Sequence, residues 1–133
     1  VDYPARNFLT VLFIDPDLAA AERLAHPLRD TCAVAVVPTA QAAMAAIRIR
    51  IPNLVVTELE LPDMSGLDLI VSLHSAPATH NTLLMVVTRR SSVRDKIAAF
   101  QAGADHYLVK PVDPAQFLVQ VRLVTRFRSI VQG

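Results

Sequence analysis

Five short apolar runs constrain this chain more than any other feature: TVLFI (10–14), AVAVV (33–37), LVVT (54–57), LLMVV (83–87) and YLV (107–109). They are rich in β-branched residues and do not alternate with polar ones, the pattern of strands buried on both faces. Segments of helical spacing lie between them, with recognisable ends. Asp15-Pro16 offers an N-cap and a first-turn proline, and Thr39 precedes AQAAMAAIRI. Ser92-x-x-Asp95 reads as a capping box, Gly103 can close its helix, and Asp113-Pro114 opens the last one. Strands alternating with helices over short connections predict a parallel sheet with right-handed crossovers and helices on both faces. The expected architecture is a doubly wound α/β sheet of five strands, order 2-1-3-4-5, with five helices. Ligands of such sheets sit beyond the carboxyl ends of the strands, where the first and third diverge.

The polar residues that end the strands are therefore the candidates for function. Asp15 follows the first run, Glu58 the third, Thr88 the fourth and Lys110 the fifth. Singly, each has a bland reading as a helix cap, a loop hydroxyl or a solvated charge. Their convergence on one edge of the sheet is what makes a candidate site.

At 133 residues, 53% hydrophobic and 19% charged, the chain can bury one core and has no room for a second domain of ordinary size. We expect an N-terminal extension over 1–8, the domain over 9–129, and the start of a tail or linker over 130–133. A net charge of +1 provides no field that would make nucleic acid or an anionic membrane the main partner. Cys32 is the only cysteine and reads as core filler. No apolar run approaches a membrane span, and VDYPARN lacks the features of a signal peptide. The default localisation is cytoplasmic.

With these residues in view, the chain resembles the receiver domain of bacterial two-component response regulators, a chemotaxis-Y-like, flavodoxin-like module. VLFID resembles the family's first strand and its acidic end, LPDMSGLDLI the loop after the acceptor strand, VVT the fourth strand with its hydroxyl, and GADHYLVKPVDP the fifth strand with its lysine. The resemblance implies a phosphorelay domain that takes a phosphoryl group from a histidine kinase onto an aspartate. Mg²⁺ would be held by an acidic pair after the first strand and by the acceptor, while a hydroxyl and an ammonium hold the phosphoryl oxygens. Thr88 and Lys110 match the last two roles. Tyr107 stands where the family carries an aromatic switch, whose ring turns inward when the hydroxyl is drawn to the phosphoryl group. The resemblance also implies a cis Lys110-Pro111 bond.

Three positions depart from that pattern. Glu58 occupies the acceptor position, with its reacting oxygen roughly 1.5 Å further from the backbone, and a misplacement of about 1 Å can cost a hundredfold in rate. Pro16 falls on the second acid of the pair. Asp17 lies one residue on, and the degenerate metal set would be Asp15, Glu58 and the backbone carbonyl of Glu60. Arg89 follows Thr88 where the family keeps a small residue. It is either solvated or reaches Glu58 or Asp15 as a built-in counter-ion.

All three changes weaken phosphoryl transfer, so no catalytic residue, cofactor or metal is expected. Either Glu58 imitates the phosphorylated aspartate, through a Glu58–Lys110 ion pair, or the pocket is a relic; a purely structural ion pair would look the same. The first reading is an atypical, non-enzymatic receiver that works by protein contact. The alternatives are a receiver still phosphorylated with Mg²⁺ at Glu58 or Asp17, and a flavodoxin-like binder of a flavin or corrinoid. DPDLAAA lacks the phosphate cradle a flavin needs, and no Asp-x-His-x-x-Gly stretch exists for a corrinoid.

Pro27 should kink or end the first helix near Leu24 to Ala25, which weakens the case for a histidine kinase docking there. His26, His74, His80 and His106 read as surface residues. In the last helix Phe117, Val121 and Val124 take core spacing, with Arg122, Arg126 and Arg128 largely outside. With Arg94 and Lys96 they make the face of fourth helix, fifth strand and fifth helix moderately basic, with Asp95 and Asp105 as possible partners. A protein partner is expected on that face; a homodimer, as in relatives, and a solvated surface both remain open there.

Overall fold

The computed structural model describes residues 9–132, with side chains through 126. The elements run β1 (Leu9–Ile14), α1 (Leu18–Ala25), β2 (Cys32–Val37), α2 (Ala40–Ile49), β3 (Leu54–Thr57), α3 (Gly66–Ser75), β4 (Leu83–Thr88), α4 (Val93–Ala102), β5 (His106–Val109) and α5 (Pro114–Gln132), with a short 3-10 helix over His26–Asp30. All five strands are parallel, in the order β2-β1-β3-β4-β5. This is the expected topology, and each apolar run became a strand.

Side chains alternate across the sheet, so each strand feeds two cores. Val11, Phe13, Leu54, Val56, Met85 and Val87 pack with α1 and α5, where the rings of Phe13 and Phe117 lie 5.7 Å apart. Leu12, Ile14, Val55, Leu84 and Val86 pack with α2, α3 and α4. Burial of one such Val, Leu or Phe side chain stabilises by about 1.5–3 kcal/mol, which holds the strand ends in register. Cys32 is buried as a free thiol.

The helix ends follow local chemistry, with one correction. The cap of α1 is Asp17, not Asp15: Asp17 Oδ1 accepts from the Ala20 N–H at 3.0 Å, and the helix begins at Leu18. Asp15 is unable to cap because its carboxylate is turned toward Lys110. Thr39 and Ser92 cap α2 and α4, and Asp113 accepts from the Gln116 N–H at the start of α5. At Pro27 the α-helical ladder has already ended, and the chain tightens into the 3-10 turn. Gly103 closes α4 at φ 127°, a left-handed conformation that suits glycine.

Candidate functional site

β1, β3, β4 and β5 end side by side, and their terminal residues converge. Glu58 leaves β3 with its N–H bonded to the Ile14 carbonyl at 2.9 Å, which ties it to the end of β1. Lys110 leaves β5 with its N–H on the Thr88 carbonyl at 2.8 Å. The Lys110-Pro111 bond is cis. On the other side of Glu58, Gly66 opens α3 so close beneath it that a Cβ there would lie 2.5 Å from the Glu58 carbonyl oxygen. A hydrogen bond of 2.8 Å from the Gly66 N–H to the Leu59 carbonyl closes the same turn.

Lys110 Nζ donates to Asp15 Oδ2 at 2.8 Å and to Glu58 Oε1 at 3.0 Å. The other Glu58 oxygen, Oε2, accepts from Thr88 Oγ1 at 2.5 Å, from the Leu59 N–H at 2.7 Å and from the Glu60 N–H at 3.1 Å. The three charged side chains are only 15% (Lys110), 11% (Asp15) and 8% (Glu58) exposed. Burial opposes the ionisation of Glu58. The Thr88 hydroxyl, the Glu60 N–H and the Lys110 ammonium together outweigh it and hold the carboxyl below its usual range. Burial likewise opposes the charge on Lys110, and hydrogen bonds and attraction from Asp15 and Glu58 outweigh it, so the ammonium's pKa is raised.

Tyr107, on β5, is buried and packs 6.3 Å from the ring of Phe100. Its hydroxyl donates to the Arg90 carbonyl at 2.7 Å. Burial, with the nearby Asp95 carboxylate, pushes the phenol's pKa up and keeps it a donor. The Arg90 N–H in turn reaches Thr88 Oγ1 at 3.4 Å, so one residue bridges the hydroxyl at the pocket and the aromatic ring.

The Arg90 guanidinium spans the mouth, 3.3 Å from Glu60 Oε2 and 3.6 Å from Asp95 Oδ1. Arg89 is exposed and pairs with neither Glu58 nor Asp15 among the described residues. Of its two sequence readings the geometry selects the solvated one, and the cation at the entrance is its neighbour. Nothing in TRRSS distinguishes the two arginines; only the path of the loop does. A second residue missed in the sequence is Asp63, whose carboxylate accepts from the Ala40 and Gln41 N–H groups at 3.0 and 2.8 Å and fastens the loop after Glu58 to α2. Those two backbone donors hold its carboxyl below the usual range.

The donor set does not fit Mg²⁺. Asp15 Oδ2 faces the Lys110 ammonium, and Oδ1 accepts from the Asp17 N–H at 2.9 Å. Pro16 supplies no ligand, the Asp17 carboxylate caps α1, and the Glu60 carboxylate turns out to Arg90. No group of three or more metal-ligating side chains exists among the described residues. A hard cation requires several oxygens around one point, and the ammonium stands there instead.

The remaining expected residues fall as follows. His74 and His80 are exposed, with rings 5.0 Å apart. His106 departs from the surface reading: it is half-buried and bonded to Gln120 at 2.8 Å. Asp105 accepts from the Leu84 N–H and pairs with no cation of the face among the described residues. Arg128 lies outside the described side chains.

A five-stranded sheet of this order, with hydroxyl, carboxylates and lysine at its carboxyl edge, defines the receiver class of signalling domains. The model of the response regulator receiver domain matches residues 11–122, and the chain belongs to that family, a domain of two-component signalling. It is 34% identical over 119 residues to TcrX of Mycobacterium tuberculosis, described as a probable transcriptional regulatory protein, covering 89% of this chain and 50% of TcrX. It is 30% identical over 120 residues to a 14.6 kDa protein of Leptolyngbya boryana, covering 90% of this chain and 89% of that one. Among solved structures, a CheY-like receiver domain protein of Methanospirillum hungatei superposes with TM-score 0.86 at 26% identity, over 95% of this chain and 99% of that one. The chain spans about half the length of TcrX and of the DNA-binding response regulator MtrA. No helix among the described residues is long and apolar enough to cross a membrane.

Proposed function

We propose that this domain signals by protein contact with its pocket permanently closed around Glu58, without aspartyl phosphorylation, catalysis or a metal. One observation carries the reading. The two side chains that the resemblance assigns to the phosphoryl oxygens, Thr88 and Lys110, are both engaged by the Glu58 carboxylate. The buried Tyr107 supports it, because the family's switch ring turns inward when that hydroxyl is drawn into the pocket. A carboxylate carries less charge than a phosphoryl group, so Glu58 is a partial mimic, and the Asp15 contact of Lys110 takes up the remainder.

The rival readings have less support. Each Glu58 oxygen is already hydrogen-bonded, so phosphorylation there would have to displace the partners of whichever oxygen attacks, and the Asp17 carboxylate caps α1. The void beside Asp15, Thr57 and Glu58 is about 10 Å³, about enough for a single water, and against a flavin or corrinoid stand the missing phosphate cradle in DPDLAAA and the missing Asp-x-His-x-x-Gly stretch. The test is exposure to a small phosphodonor or a cognate histidine kinase with Mg²⁺, read by intact-mass spectrometry. The reading predicts an unmodified protein, and a stoichiometric acyl phosphate would overturn it. The contact surface in this reading is the α4-β5-α5 face, with no nucleic acid or membrane held by the domain itself.

A further inference from the structure

We propose that His74 and His80 together bind a late first-row divalent cation such as Zn²⁺, at the edge of the sheet opposite the Glu58 pocket. The inference goes beyond the contact reading and leaves it standing, since the metal-free reading concerns the pocket alone. α3 starts beneath Glu58 at Gly66 and ends at Ser75, so its last turn lies at the amino ends of the strands, where the chain turns into β4 at Leu83. His74 belongs to that last turn and His80 to the connection that follows. Their rings come to 5.0 Å between centres, tilted by 37°. Both side chains are open to solvent. They stand 6 positions apart, one on the helix and one past its end, so no ligand spacing on a shared element announces them in the sequence.

Both rings are prepared for a shared ligand. His80 Nδ1 lies 2.7 Å from the His74 carbonyl oxygen. A carbonyl only accepts, so Nδ1 carries the proton, and the lone pair of the neutral ring is on Nε2, free for a metal. A backbone carbonyl on the other ring nitrogen is a common orienting partner of a metal-bound imidazole. His74 is held by packing: its ring lies over Gly103, where a Cβ would come within 2.5 Å of Cγ. The connection between the two is fixed as well. The buried Thr79 hydroxyl donates to the Leu73 carbonyl at 2.6 Å, and the Thr82 N–H donates to the Thr79 carbonyl at 3.0 Å. With Zn–N of about 2.0–2.1 Å and a ring nitrogen about 1.1 Å from its centre, the spacing of 5.0 Å subtends roughly 100° at a shared ion, near the tetrahedral angle. Two neutral imidazoles select Cu²⁺, Ni²⁺ or Zn²⁺ over Mg²⁺ or Ca²⁺, which require several oxygens. No third ligating side chain joins them among the described residues, so water fills the remaining positions and the site is an open one.

The experiment titrates the whole, untagged chain with ZnCl₂, beside MgCl₂, and reads calorimetry together with the NMR signals of the imidazole rings. The expected result is a single bound Zn²⁺ per chain. The rings of His74 and His80 should shift together, the amides of Glu58, Thr88 and Lys110 should stay in place, and Mg²⁺ should move neither ring. Zn²⁺ should also raise Tm progressively, because the pair exists only in the folded chain. His74→Gln and His80→Gln should each weaken binding by about tenfold or more, whereas His26→Gln should leave it unchanged. The proposal is overturned by no binding up to about 1 mM Zn²⁺, by a response confined to one of the two rings, or by binding that survives in the double variant; the rings would then be in plain aromatic contact. Because the ring signals are read on the wild type, a variant that fails to fold leaves the test in force. An acyl phosphate would sink the contact reading and leave these outcomes unchanged.

Discussion

Replacing Lys110 by Met would remove the one cation between two carboxylates while keeping most of the aliphatic volume. Asp15 would keep one hydrogen bond, from the Asp17 N–H, and Glu58 would keep three, from Thr88, Leu59 and Glu60. Breaking a fully buried pair costs about 3–5 kcal/mol. Here the pocket lies at the sheet edge and both anions stay hydrogen-bonded, so we expect about 2–3 kcal/mol. With an unfolding entropy of about 2.1 cal/mol/K per residue, that lowers Tm by roughly 7–11 °C. The chain contains no tryptophan, so the assay is urea and thermal unfolding by circular dichroism. Placing Lys110→Met on a Glu58→Gln background should cost less, by a coupling of about 1–2 kcal/mol, because only Asp15 is then left uncompensated. The deficit of Lys110→Met should also shrink as pH falls from neutral toward 4.5, the ordinary glutamate value, since the stranded Glu58 carboxylate can protonate. A loss under about 0.5 kcal/mol, or strict additivity in the cycle, would refute the claim that the ion triad holds the pocket together.

Other consequences can be checked in the same way. The folded-state pKa of Glu58 is depressed, so its contribution is present above the ordinary value of 4.5 and is lost as pH falls through the folded one. Lys110 is raised, so its contribution is complete below 10.5 and is lost as pH climbs beyond. Acid and alkaline titrations of the wild type should both show these losses, and Glu58→Gln should lose the Glu58 share of the acid limb while the share of Asp63 remains. Thr88→Val should cost about 1–3 kcal/mol by leaving buried Glu58 one donor short, and should loosen Tyr107, read by tyrosine fluorescence on a Tyr3→Phe background. Arg90→Ala removes only exposed ion pairs, so the loss should stay below about 1 kcal/mol, and the Tyr107 bond to the backbone carbonyl should survive. Gly103→Ala would force a Cβ to within 2.5 Å of the His74 ring at φ 127°. It should destabilise by about 1–3 kcal/mol in urea unfolding.

The strands were legible because β1, β3 and β4 are buried on both faces and the edge strands β2 and β5 remain half-buried, which leaves uninterrupted apolar runs. The four convergent residues were legible for a related reason: in a parallel sheet the polar residue ending each run must lie at the same edge. Where several local solutions compete, the sequence was silent. Asp15-Pro16-Asp17 offers two caps for α1, and the choice fell to Asp17 only because Lys110, 95 positions from Asp15, claims the other carboxylate. Arg89 and Arg90 are chemically identical neighbours, and a loop turn decides which one spans the mouth. Asp63 gives no signal of its role, since the N–H groups it caps belong to a helix more than 20 residues earlier. His106 looked like a surface residue because its partner Gln120 lies on a different element.

The most direct test of the closed pocket is an NMR titration with Mg²⁺ and beryllofluoride, wild type beside Glu58→Asp. If Glu58 already occupies the phosphoryl position, the amides of Thr88, Tyr107 and Lys110 in the wild type will not shift. The shorter side chain frees Thr88 and Lys110, and should allow those shifts to begin. Saturable shifts at these three residues in the wild type would show a pocket still open to a phosphoryl group and would contradict the account.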